Sequence, residues 1–244
     1  MNIDSNIKEK IVLALDVETF EEAKTLVDEL SPYVGTFKVG LQLYTGFGNE
    51  IIDYIKNKNS NFFLDVKLMD IPNTVKKASE NIVTRGANFY NVHALGGLEM
   101  MKQSKEGALL AAQKTGKKPP IILAVTVLTS ISQEVLNDEL EINKEVKNLA
   151  ITLAKLAKKA GLSGVVASVH ELKAIKEACG ADFKVLCPGI RPSWSLKDDQ
   201  KRIATPKIAI EGGADYLVIG RAVTAAQNRV EAMEKIYEEI GEVI

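Results

Sequence analysis

Cysteine is scarce: Cys179 and Cys187 are the only two in 244 residues. That leaves no disulfide framework and no Cys-based metal site. The two histidines, His93 and His170, are not spaced as metal ligands and are expected to be structural. No apolar run approaches the roughly 18 residues of a membrane span. The longest is Ile121–Val125, continued after Thr126 by Val127 and Leu128. Neither charge dominates, since 31 basic and 32 acidic side chains give a formal net charge of −1. A strongly basic nucleic-acid binder is thereby excluded. The opening Met1-Asn2-Ile3-Asp4-Ser5 has no basic segment followed by an apolar one, so no secretory signal is expected. A reduced cytoplasm is the expected setting. No Pro- or Ser-rich linker interrupts the chain, and one domain over 1–244 is expected. With 46% hydrophobic and 26% charged residues the chain is globular rather than disordered.

What is present is a regular series of short apolar, β-branched runs. They are Ile11–Leu15, Thr36–Val39, Asn61–Val66, Phe89–Val92, Ile121–Val125, Gly164–Ala167, Lys184–Leu186 and Tyr216–Ile219. Segments with apolar spacing near 3.6 lie between them, such as the one starting at Phe20 and the one over Val146–Ala160. Strands that lack two-sided alternation and are each followed by a helix predict a parallel sheet covered on its outside. Residues at the strand ends, from Asp16 to Gly220, recur at a mean of about 29 positions, the size of one unit of a (β/α)8 barrel. An open doubly wound sheet would want a G-x-G-x-x-G after the first strand, and there is none. Gly86-Ala87-Asn88 and Gly213-Ala214-Asp215 echo one another between a helix and a strand, where glycine supplies a left-handed C-cap. Lys114-Thr115-Gly116-Lys117-Lys118 reads as a solvated loop before Pro119-Pro120.

Charges inside apolar strands are costly unless paired, and here they gather at strand ends. Asp16 closes Leu13-Ala14-Leu15-Asp16, and Lys38 sits in Phe37-Lys38-Val39-Gly40. Asp65 and Lys67 are two apart in one strand, which predicts a common face. Asp70 follows where Ile71-Pro72-Asn73-Thr74 must leave the sheet, because Pro72 has no N–H to donate. Barrel chemistry sits at the C-terminal ends of the strands, so these charges are the candidate site.

The pattern Asp65-x-Lys67-x-x-Asp70-Ile71-Pro72-x-Thr74 resembles the signature of the orotidine 5′-phosphate decarboxylase family. Further blocks fall in that family's order: Asn91-Val92-His93-Ala94, Leu128-Thr129-Ser130, Pro188-Gly189-Ile190-Arg191, Asp199-Gln200-Lys201-Arg202 and Val218-Ile219-Gly220-Arg221. The resemblance implies an α/β fold, a (β/α)8 TIM barrel of the ribulose-phosphate-binding type. It also implies loss of CO2 from C6 of orotidylate. Lys67 would be the proton donor, with Asp65, Lys38 and Asp70 completing an alternating charge network. By the same resemblance Asp70, Ile71 and Thr74 reach into the site of a partner subunit, giving a homodimer with shared sites. No metal and no organic cofactor are implied.

The remaining assignments draw on the residues themselves and on the resemblance. Gly220-Arg221 precedes an expected helix start at Ala222-Val223-Thr224, where a phosphate would meet backbone N–H groups and the Arg221 fork. Residues 191–206 form a long polar stretch read as a lid, with Pro188 and Arg191 at its base and Gln200 as a contact. Trp194 is read as lid packing. Thr129 and Ser130 would meet the pyrimidine edge, and Asp16 a ribose hydroxyl. Cys187 is expected to be inert.

Two other readings compete. A Mg²⁺-dependent hexulose-phosphate synthase or keto-gulonate-phosphate decarboxylase shares the barrel and the Asp-x-Lys-x-x-Asp core, but would place a carboxylate soon after it. Here no acid follows Asp70 until Glu80. A catalytically silent phosphate-ligand barrel would be expected to lack one of Lys38, Asp65, Lys67 or Asp70, and all four are present.

Overall fold

The computed structural model describes residues 3–195 and 204–244. Eight parallel strands form a closed barrel in chain order. They are β1 (Ile11–Ala14), β2 (Thr36–Gly40), β3 (Asn61–Leu68), β4 (Phe89–His93), β5 (Ile121–Val125), β6 (Gly164–Val166), β7 (Lys184–Cys187) and β8 (Tyr216–Ile219). The helices up to β4 are α1 (Ser5–Lys10), α2 (Phe20–Leu30), α3 (Leu41–Phe47), α4 (Asn49–Asn57) and α5 (Pro72–Thr84). Beyond it come α6 (Gly97–Thr115), α7 (Val146–Lys159), α8 (Val169–Cys179), α9 (Pro206–Glu211), α10 (Arg221–Thr224) and α11 (Arg229–Gly241). The (β/α)8 expectation holds. No helix among the described residues is long and apolar enough to cross a membrane.

The chain divides into two compact units, one of residues 1–65 with 187–244 and one of residues 66–186. In the first, β1 lies between β8 and β2, and β2 pairs in turn with β3. Val12, Leu13, Phe37, Val39, Phe62, Leu217 and Ile219 are buried there. In the second, β4, β5, β6 and β7 pair in order, with Tyr90, Val92, Leu123, Val165 and Val185 buried. Burial on both faces explains why these strands read as unbroken apolar runs.

The return from helix to strand uses one device five times. After α4, α5, α6, α7 and α9, a residue at positive φ (Asn59, Gly86, Gly116, Gly161, Gly213) is followed by an N–H that reaches back five residues. Examples are Ala214 N to Ala209 O at 2.9 Å and Leu162 N to Ala157 O at 3.1 Å. Two of the five were visible in sequence as the Gly86 and Gly213 echo. The 6→1 bond closes the helix and turns the chain toward the sheet. The expected loop at Lys114-Thr115 is instead the last turn of α6. Thr115 Oγ1 donates to Ala111 O at 2.8 Å, and the turn ends on left-handed Gly116.

Candidate active site

In the first unit the register sets the charges. Ala14 pairs with Lys38 and Gly40 with Asp65, so the ends of β1, β2 and β3 lie side by side. The Lys38 ammonium stands 3.1 Å from Asp16 Oδ1 and 3.3 Å from Asp65 Oδ2. The lysine side chain is 9% exposed and that of Asp65 14%, against 55% for Asp16. A nearly buried cation is thus bracketed by two carboxylates, the pairing that makes its burial tolerable. One carboxylate opens to solvent and the other faces inward.

Gly40 has a part in this that sequence reading missed. A Cβ there would lie 3.0 Å from Lys38 Nζ and 3.2 Å from Asp16 Oδ1. Its backbone, at φ −87° and ψ −179°, is ordinary extended chain open to any residue. Glycine here is thus a matter of space beside the ion pair rather than of backbone conformation. Gly40→Ala is expected to push the ion pair by a few tenths of an ångström. A roughly tenfold loss of kcat follows, set against the ~10²-fold that a 1 Å displacement can cost. Steady-state kinetics with a melting curve checks this; the melting temperature should stay within a few degrees.

Also in this unit, Leu13 pairs with Ile219, which brings the end of β8 beside the end of β1. Gly220 and exposed Arg221 follow directly, and α10 starts at Arg221, one residue before the expected start at Ala222. Pro188 and Arg191 follow β7. The Arg191 N–H donates to Ala204 O at 3.0 Å, and Ile190 bridges Ala204, which ties residues 190–191 to residue 204. Trp194, in a single turn over Ser193–Ser195, is 44% exposed and carries the Lys235 ammonium 5.7 Å from its ring centroid. Gln200 lies outside the described residues.

In the second unit Lys67 belongs to β3, which runs past the expected end at Val66 to Leu68. Its φ is +49°, so the simple alternation rule that gave Asp65 and Lys67 a common face does not carry through this residue. The Lys67 N–H donates to Asn91 Oδ1 at 2.8 Å. His93, at the end of β4, accepts the Leu95 N–H at Nδ1. Burial, with the Lys67 charge added, holds the imidazole below its ordinary pKa. Asp70 Oδ1 accepts the Ile71 N–H at 2.6 Å, and Pro72 opens α5. Asp70, Ile71 and Thr74 are all exposed, Ile71 to 68%. Thr129 and Ser130 lie exposed in the turn after β5. Both cysteines are buried. Among the described residues no group of three or more His, Cys, Asp or Glu is placed to hold a metal ion.

Charged side chains gathered at the C-terminal ends of parallel barrel strands define a class, the (β/α)8-barrel enzymes. Within that class, residues 9–236 match the family described as orotidine 5′-phosphate decarboxylase / HUMPS, and the chain belongs to that family. Proteins named orotidine 5′-phosphate decarboxylase are similar to it over nearly their whole length. That of Syntrophomonas wolfei subsp. wolfei is 49% identical, covering 96% of this chain and 99% of that protein. That of Heliobacterium modesticaldum is 45% identical, covering 96% and 97%. The crystal structure of orotidine 5′-phosphate decarboxylase from Lactobacillus acidophilus superposes with a TM-score of 0.84 at 37% identity, covering 94% of this chain and 98% of that one.

Proposed function

We propose that this chain decarboxylates orotidine 5′-phosphate to UMP and CO2 in the cytoplasm. In this reading it is a single (β/α)8 domain that works as a homodimer and needs neither metal nor organic cofactor. The observation that carries the reading is the Lys38 ammonium held between Asp16 and Asp65, with Lys67 two residues further along the same strand. The family and the names of its relatives supply the substrate.

The chemistry asks for such an arrangement. When the bond from C6 to the carboxylate breaks, CO2 departs and the electron pair stays in an in-plane orbital on C6. No carbonyl is placed to delocalise it. A cation already fixed beside that carbon stabilises the charge as it develops, without reorganisation. Lys67 takes this part and then transfers a proton from Nζ to C6, completing UMP. Asp65 orients the ammonium, and Lys38 with Asp70 continues the alternation of charge. Asp16 takes a ribose hydroxyl, Thr129 and Ser130 the pyrimidine edge. Gly220 and Arg221 hold the phosphate, with Pro188, Arg191 and Gln200 at the closing segment. Remote phosphate binding has a large part in this scheme, because the acceleration sought is ~10¹⁷-fold and no single charge supplies ~23 kcal/mol.

The Mg²⁺-dependent alternatives find little support. Glu80, the first acid after Asp70, lies in the third turn of α5 with its carboxylate 2.9 Å from Lys77 Nζ. The deciding experiment adds purified protein to orotidylate in EDTA and follows the substrate absorbance. Its disappearance with formation of UMP is expected. Activity that vanishes in EDTA and returns with Mg²⁺ would give the site to the metal-dependent branch.

A further inference from the structure

Lys67 adopts a left-handed backbone conformation inside a regular element, at the next-to-last residue of β3, where L-residues rarely go. The other described non-glycine residues at positive φ, Asn59 and Glu141, lie outside helices and strands. A conformation of this kind persists only where its surroundings over-determine it. The group that meets the Lys67 N–H is the side-chain oxygen of Asn91, at 2.8 Å, and Asn91 is 1% exposed. Its own position is rigid. Asn91 pairs with Leu123 in the β4–β5 ladder. Its neighbour Tyr90 is wholly buried, with its hydroxyl anchored on Ser104 at 2.9 Å. The bond therefore ties the Lys67 backbone to the β4 strand.

We propose that Asn91 is a positioning residue, whose amide oxygen holds the Lys67 backbone in its left-handed conformation and so aims the ammonium at the reacting carbon. The aiming rests on the reading of Lys67 as proton donor; the hold on the backbone does not. A lysine is long, and a change of φ at its own Cα swings Nζ by several ångströms. Setting the backbone is therefore the economical way to set the ammonium.

Asn91→Ala removes the acceptor, whereas Asn91→Asp keeps an oxygen in the same place. The alanine variant is expected to lose 10- to 100-fold in kcat with KM within about threefold, the mark of a displaced reacting group rather than of weaker binding. The aspartate variant should recover to within about fivefold of the starting enzyme. A second measurement needs no activity. Glycine is at ease at positive φ and alanine is not, so Lys67→Gly should melt higher than Lys67→Ala. That gap should close when Asn91→Ala is added. Unchanged kcat in Asn91→Ala, or a gap of undiminished size in that background, overturns the proposal. Should Asn91→Ala not fold, equal melting temperatures for the glycine and alanine variants at 67 overturn it instead. If Lys67→Ala keeps full kcat, the proton-donor reading fails, while the melting comparison still decides whether Asn91 sets the backbone.

Discussion

Lys67→Ala is expected to lower kcat by at least about 10⁴-fold and to leave KM within a few-fold. Two losses combine in this variant. The electrostatic hold on the developing charge, judged by the removal of one preorganised donor elsewhere, is worth ~10²–10³-fold. Loss of the general acid contributes a further ~10²–10⁴-fold. Both belong to the transition state, so the effect falls on kcat rather than on binding. Alanine and lysine carry the same cost at φ +49°, so the variant should fold and melt near the parent. Single-turnover consumption of orotidylate, with enzyme in excess, gives the rate. A kcat within tenfold of the parent would remove Lys67 from the chemistry. A large rise in KM alone would make it a binding residue.

The strands were legible because a barrel strand is buried on both faces and its sequence says so. The expected bounds of β5 and β8 coincide with the observed ones. β3 was read two residues short for a physical reason. A lysine looks like the end of an apolar run, yet the Asn91 side chain takes its N–H and the strand continues. The Lys114-Thr115 stretch failed the opposite way. Its composition looks like loop, but a threonine that bonds back to Ala111 O can finish a helix. The candidate charges were legible as a set, since charge inside apolar strands is rare. Which carboxylates would bracket Lys38 was not, because that depends on the Ala14–Lys38 and Gly40–Asp65 pairings between strands. The parts of Gly40 and Asn91, both inside quoted blocks, were not legible for a related reason. A glycine kept for space and an amide aimed at a backbone 24 residues away leave no local pattern.

Mixing Lys67→Ala chains with Asp70→Ala chains should restore about a quarter of the parent activity. Each variant alone is expected to be nearly inactive. The proposed homodimer shares its sites, each taking Lys67 from one subunit and Asp70 from the other. Local geometry favours this division. Asp70 lies past the end of β3, is exposed, and turns its Oδ1 to the Ile71 N–H at the entry to α5. Met69 and Ile71 beside it are 56% and 68% exposed, large apolar side chains that a partner surface would cover. A two-fold contact exchanges the same patch in both directions. In a mixed dimer one site therefore collects both substitutions and the other collects neither. With free exchange and equal amounts about half the dimers are mixed, and each contributes one intact site of its two, which gives the quarter. Exchange is checked separately by native mass spectrometry of chains that differ in a tag. If the chains exchange and activity stays at the level of the separate variants, Asp70 serves its own subunit's site, and the shared arrangement is wrong.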